Sequence, residues 1–356
     1  MSTFIRYNSG DLVQDNAKIN SNTWSTGNNE LTSFFTSSTE ALNYANPSSS
    51  GQFFLDIFAA EPTATSTPEF SIAYGHKAGS GSRDFSSGTG GVGFNASKAI
   101  YNQYRQLVYG DNNQEFTFQG VISDDIYIIN FERARIKQGL KPGSLNLQLT
   151  SGSTGAAARL HLTDDFTTNT GSAVPTALGK QFNLVSGSNG TMLGTLANQT
   201  VSGSYGFVYP ESGIVILNPK ALGTFIGQEQ GTTATLASRF DITPSASSNG
   251  DGLNVRKFYN AIAKAGSFIV DSEETVSSQY FFTRVTNQEF NYSTNYSFTN
   301  NDGSLKFSSM VNNPKVYITT IGLYNDNQEL LAVAKLSKPL AKDFTKEALI
   351  RIKLDY

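Results

Sequence analysis

The sequence predicts a mainly β protein: antiparallel, sandwich-like β domains with two short helices and a β-rich insertion. Three observations predict this class. Aromatic residues make up 12% of the 356 residues and charged residues only 15%, a balance that opposes disorder and suits strands with neutral polar outer faces. Apolar and polar residues alternate with a period of two in many short runs. The turn-forming pairs Pro142-Gly143, Asn189-Gly190 and Asp302-Gly303 punctuate those runs. Hydrophobic residues reach 38%, enough for real cores, and the length exceeds what one core usually supports. The expected division is a β domain with one helix over 1–150, a Ser/Thr/Gly-rich β insertion over 151–250, and a helix plus antiparallel strands over 251–356, placed to complete the first domain's sheet.

The elements follow in order. "GQFFLDIFAA" at 51–60 reads as a strand with Phe53, Leu55 and Ile57 on one face. "EFSIAYG" at 69–75 is a second. A glycine-rich loop covers 75–93. A helix follows at "NASKAIYNQYRQLVYG", with Ser97 fitting the N-cap, Ile100, Tyr104, Leu107 and Val108 forming its apolar stripe, and Gly110 closing it. Strands resume at "EFTFQGV", "IYIINFERARI" and "SLNLQLTSG". Pro142-Gly143 fits a type II turn, so 126–150 reads as an antiparallel hairpin. Beyond it come "KQFNLVSG", turning at Asn189-Gly190 into "TMLGT", then "GIVILNP", and a loop or linker at 244–252.

The second helix is "NVRKFYNAIAKAG" at 254–266, striped by Val255, Phe258, Tyr259 and Ile262 and ended by Gly266. "QYFFTRVTNQEFNYST" and "SLKFSSMV" read as strands joined through Asp302-Gly303. Over 317–340 the chain forms a β-ribbon. Ile318 and Thr320 face one way, Tyr317, Thr319, Ile321 and Leu323 the other; "NDNQ" turns the chain, and Leu331 and Val333 alternate with Leu330, Ala332 and Ala334. The last strand sets Ile350, Ile352, Leu354 and Tyr356 against Arg351, Lys353 and Asp355.

Several function classes lose support. The net charge is −3, and the nearest basic run, Arg133, Arg135 and Lys137, would line one strand face beside diluting acids, so no nucleic-acid partner is expected. There are no cysteines, which removes disulfides, thiolate catalysis and zinc–thiolate sites. "MSTFIRYNSGDL" carries no apolar run of signal-peptide length, and "IYIINF" and "GIVIL" are too short to span a bilayer. Synthesis in a cytoplasm and no membrane partner are the expectations, with the sequons at Asn95 and Asn291 arising by chance.

Candidate chemistry is sparse. "GTGGVG", Gly88 to Gly93, matches a dinucleotide pattern but lacks its strand and βαβ setting. His76 reads as a loop residue and His161 as a strand or surface residue, neither inside a metal or triad motif. The pairs Asp124-Asp125, Asp164-Asp165 and Glu273-Glu274 point to opposite faces if they lie on strands, and suit turn, cap or solvated roles. The Phe/Tyr-rich stretch 280–298 suits cross-strand pairs in a core or interface better than a sugar-stacking surface. No catalytic residue, cofactor or metal is expected, and the chain reads as a non-enzyme.

"TWSTGNNELTSFFTSSTE" (23–40), "FSIAYGHKAGSGS" (70–82), "SKAIYNQYRQLVYGD" (97–111), "IYIINFERARIKQGLKPGSLNLQL" (126–149), "SEETVSSQYFFTRVTNQEFNYSTN" (272–295) and the segment 317–356 together resemble a family of virion structural proteins from contractile-tailed phages of marine cyanobacteria. The likeness is loosest across 151–250. It implies a tail or baseplate subunit located in the virion, with other phage proteins and copies of itself as partners and no catalytic residues. A receptor- or glycan-binding tail-fibre-associated protein is the alternative; a polysaccharide depolymerase would need carboxylates converging in one groove.

Overall fold

The computed structural model describes residues 4–36, 54–78, 96–150, 159–169, 173–196, 200, 203–225 and 253–355. The expected glycine-rich loop beyond Ala78, including Gly88 to Gly93, and the loop at 244–252 lie outside the described residues, as do Phe53 and Tyr356. Twenty strands and four α-helices occur among the described residues, and the expected mainly β, antiparallel class holds. The chain divides into two compact units. One is Ile19–Glu274; the other joins Met1–Lys18 to Thr275–Tyr356. Strand β1 (Leu12–Asn22) runs across the first point of division.

Unit Ile19–Glu274 is built on one curled sheet. Along the chain come β2 (Glu30–Leu31), β3 (Phe54–Ile57), β4 (Phe70–His76), helix α1 (Ala96–Tyr109), the small pair β5 (Thr117–Phe118) and β6 (Val121–Ile122), β7 (Asp125–Phe131), β8 (Gly139–Leu140) and β9 (Asn146–Thr150). Then follow β10 (Arg159–Asp164), α2 (Phe166–Asn169), β11 (Val174–Thr176), β12 (Gly179–Ser188), β13 (Thr191–Met192), β14 (Gly206–Tyr209), β15 (Ile214–Leu217), α3 (Pro219–Phe225), α4 (Leu253–Ala265) and β16 (Phe268–Ile269). The sheet order is β2-β16-β9-β10-β12-β14-β15-β7-β4-β3, with β11 and β13 on β12. Just past the two end strands, Phe35 and Phe58 exchange backbone hydrogen bonds at 2.9 and 2.8 Å. The segment after β2 thereby ties the two ends of the path together and leaves less open edge for a stray strand.

The central strands are apolar on both faces because a helix covers each. On β7, Ile126 and Ile128 pack with Ile100, Tyr101, Tyr104 and Val108 of α1. The alternate residues Tyr127, Ile129 and Phe131 pack with Val255, Phe258 and Ile262 of α4, and the Tyr127 and Phe258 rings stack at 4.7 Å. β15 divides in the same way, Ile214 and Ile216 against Val215 and Leu217. That double coverage explains the apolar runs at 126–129 and Ile214–Leu217. Farther along, β9 and β10 face the core with Leu147, Leu149, Leu160 and Leu162, while Gln148 and His161 point out.

Several expectations change here. Residues 151–250 do not form a separate insertion, since β10, β12, β14 and β15 are interior strands of the sheet that holds β7 and β9. Nor is 126–150 a hairpin: β7 pairs β4 and β15, whereas β9 pairs β10 and β16. The chain leaves β7 through a 3₁₀ turn at Arg133–Arg135, which also removes the expected strand face of Arg133, Arg135 and Lys137. The Pro142-Gly143 turn itself forms, with Gly143 at φ 85° and the Ser144 N–H donating to Lys141 O at 3.2 Å. "EFTFQGV" yields only β5, turning through Gln119 and Gly120 into β6. Helix α1 starts at Ala96, so Ser97 lies inside it, and Leu107 of the expected stripe is 40% exposed while Tyr101 is fully buried. His76 is the last residue of β4 rather than a loop residue.

Unit Met1–Lys18 with Thr275–Tyr356 carries the rest. Strand β17 (Asp271–Val285) enters it from the other unit, where Ser272 and Glu273 pair with β8. Within it β17 lies between β1 and β20 (Ala348–Asp355), pairing with β20 from Ser278↔Asp355 to Val285↔Ala348. β18 (Val316–Tyr324) and β19 (Leu330–Lys342) form the expected ribbon. "SLKFSSMV" is not a strand: it makes one bridge, Leu305 to Thr299, and a 3₁₀ turn at Ser308–Met310. A small core of Val285, Leu323, Ala348, Ile350 and Ile352, joined by Phe281, Ile321, Ala332, Ala334 and Leu354, holds the unit.

Candidate interaction surface

The groups best suited to chemistry lie apart or are taken up in structure. His76 and His161 sit on β4 and β10, five ladder steps apart along the sheet. Burial pushes the His76 imidazole below its usual range, partly offset by Asp124. Asp164 accepts the Gly143 N–H at 2.9 and 3.0 Å and the Phe166 N–H at 3.1 Å, fixing the Pro142-Gly143 turn and the start of α2. Asp165 accepts both N–H groups of Asn183 at 2.9 Å. Burial raises the Asp164 carboxyl to about 6, against the pull of its backbone donors. Arg135 binds the fully buried Glu69 at 3.1 Å and the carbonyls of Pro68 and Thr67, and Arg133 binds those of Ile136 and Lys137. These basic residues brace the fold rather than display charge. Asn291 is buried, taken up by Asn287 and Lys342.

One polar cluster escaped the sequence reading. Ser123 donates to the Asp125 backbone oxygen at 2.9 Å and lies 3.3 Å from its carboxylate; Tyr74 reaches that carboxylate at 3.5 Å, and Asn218 lies 3.4 Å from Ser123. Burial raises Asp125 to about 6. β4 ends, β7 begins and β15 ends at this place. Asp124-Asp125 was legible only as an acidic pair, because Tyr74 on β4 and Asn218 just past β15 are far from it in sequence. Among the described residues no three His, Asp or Glu side chains converge as metal ligands, and no helix is long and apolar enough to cross a membrane.

The distribution of exposed apolar side chains is more informative. Of the 24 large exposed apolar residues among those described, 17 fall in the unit of Met1–Lys18 and Thr275–Tyr356, the smaller of the two. The ribbon shows how they arise. Its inner face pairs Leu323 with Ala332 and Ile321 with Ala334 over the small core. Its outer face carries Leu331 and Val333, 68% and 56% exposed, next to Tyr324 and Leu330. A side chain at Gly322 would meet the Tyr324 ring at 2.7 Å and Leu330 at 3.1 Å, so these two close over the glycine. Phe4 meets the Tyr324 ring edge-on at 5.2 Å. Tyr317 is 64% exposed and Leu349, on β20, 72%. Period-two alternation normally leaves the solvent face polar; here both faces of the ribbon carry apolar residues. Comparison with protein-family models, curated proteins and solved structures gave no match.

Proposed function

We propose that the chain is a structural subunit of a bacteriophage particle, a tail or baseplate component of a contractile-tailed cyanophage, present in several copies in the virion. The observation that carries an assembly role is the crowding of exposed apolar side chains onto the unit of Met1–Lys18 and Thr275–Tyr356, above all Leu331 and Val333 on the ribbon. A surface of this kind is stable when another protein covers it. The phage setting comes from the resemblance of the quoted stretches, and the partners are other virion proteins and copies of the chain. No catalytic role is assigned, and no nucleic acid or membrane is needed as partner.

The test is incorporation. Particles are purified from infected cells making either the native chain or a Leu331→Asp/Val333→Asp variant, and the chain is quantified by mass spectrometry. Both sites are exposed, so the variant should melt like the native protein, yet it should be missing from particles. Absence of the native chain from purified particles, or equal incorporation of the variant, would refute the proposal.

A further inference from the structure

Between β17 and β18 the chain builds a second exposed surface of different chemistry. From Thr286 to Ser309 it contains five asparagines and a single aliphatic residue, Leu305. Four aromatic side chains stand out: Tyr296 is 73% exposed, Phe307 53%, Tyr292 42% and Phe290 37%. The ribbon, by contrast, displays mainly Leu and Val. Aliphatic surface suits burial against protein. Exposed aromatic rings set among amides and hydroxyls suit a ligand with flat C–H faces rimmed by hydroxyl groups.

The surface is fixed in place. Lys342, 1% exposed, donates to the Asn287 carbonyl at 3.1 Å and to Asn291 Oδ1 at 2.9 Å, and so clamps the start of the segment. Glu289 accepts from the Thr286 backbone N–H at 3.0 Å and hydroxyl at 2.9 Å. Phe290 is held at φ 49°, a conformation that costs a bulky residue energy and persists only where neighbours enforce it. A hairpin then turns at Asn300–Gly303: Asn300 N–H donates to Ser304 O at 2.8 Å and Lys306 N–H to Phe298 O at 3.1 Å. Tyr292 lies along this hairpin, its hydroxyl donating to Gly303 O at 3.1 Å and its ring edge-on to Phe298 at 5.8 Å. Tyr296 and Phe307 flank the hairpin's base. The Tyr292 ring, held at both ends, loses little freedom on contact.

The charges of the segment are occupied internally. Glu289 is held by Thr286, Asp302 accepts from Ser304, and Lys306 donates to the Tyr296 carbonyl. What faces outward is neutral.

We propose that residues 290–307 form a binding surface for a neutral oligosaccharide, with Tyr296, Tyr292 and Phe307 stacking on sugar rings and the neighbouring amides and hydroxyls meeting sugar hydroxyl groups. This site is separate from the ribbon and does not depend on the assembly role. The test applies the full chain to an array of neutral hexose and N-acetylhexosamine oligosaccharides and titrates the best-retained one by calorimetry. Tyr296→Ala and Phe307→Ala are the variants, and Leu331→Asp on the ribbon is the control. The expected result is retention of at least one neutral oligosaccharide, weakened about tenfold or more by each loop variant at unchanged melting temperature, and unaffected by Leu331→Asp. Retention of no oligosaccharide by the native chain, or retention indifferent to both loop variants, overturns the proposal. So does loss of a protein–protein contact in the loop variants with saccharide retention intact.

Discussion

At Gly75 helix α1 approaches β4 so closely that a methyl group would sit 2.8 Å from the Tyr101 backbone nitrogen. The two nearest atoms, the Tyr101 nitrogen and Cα, are backbone and cannot swing aside. Gly75→Ala should lower stability by about 1–3 kcal/mol in denaturant titration; an unchanged midpoint would show that the contact is looser. Asp125 gives a prediction of a different kind. Its carboxyl is raised from 3.8 to about 6 by burial. Between those values the folded state binds more protons than the unfolded state, so stability is full below about pH 4 and falls as pH rises through 6. A shift of this size corresponds to about 3 kcal/mol. Asp125→Asn, fixed in the neutral state, should lose this pH dependence, and its advantage over the native chain should grow from pH 4 to 7. Parallel stability profiles for the two would contradict it. Neither effect was legible in the sequence, because each depends on what another element brings alongside. The turn at Pro142-Gly143 was legible, since φ at both central positions is set locally. That it docks on the Asn189-Gly190 turn, where Asn146 and Asn189 exchange hydrogen bonds at 3.0 and 2.6 Å, was not.

Among elements, β20 has the strongest consequence for its length. Ile350 and Ile352 are two of the five buried members of the small core, and the strand pairs with eight residues of β17. Each isoleucine should contribute roughly 1.5–3 kcal/mol by burial, comparable in sum to a large part of a domain's net stability. Removing 348–356 should therefore unfold this unit, seen as rapid proteolysis within 275–347 and loss of assembly; a truncated chain melting like the native one would contradict this. The alternation of the last strand was readable from Ala348 to Asp355, as were the pairing of the ribbon and the apolar stripe of α4; the faces of β18 were not, because a register shift between Ile318 and Thr320 puts Ile318, and not Tyr317, on the side of Ile321 and Leu323. The supposed hairpin at 126–150 failed because hydrophobic period identifies a strand and not its partner: β7 and β9 are neighbours in sequence and separated by β10, β12, β14 and β15 in the sheet. The aromatic stretch 280–298 divided: Phe281 and Phe298 pack inward, while Phe290, Tyr292 and Tyr296 are exposed.

Across the whole molecule, the division at Lys18 and Glu274 separates a unit with two apolar cores from one that carries most of the exposed apolar side chains among the described residues. The Ile19–Glu274 unit has two apolar cores, one on each face of its central strands. Residues 19–274 alone should fold cooperatively and remain unassociated, as read by calorimetry and sedimentation; failure to fold, or association matching the full chain, would place the assembly surface elsewhere. The sequence could not show this division, because the first eighteen residues join the last eighty-two through pairing and ring contacts such as Tyr7 with Phe281 at 5.5 Å. The most direct measurement is an electron cryomicroscopy map of particles from cells producing the chain, with the chain traced in it. The predicted result is several copies, with Leu331, Val333 and Tyr317 buried against neighbouring subunits. A particle lacking the chain, or a trace that leaves those side chains facing solvent, would contradict the assembly role.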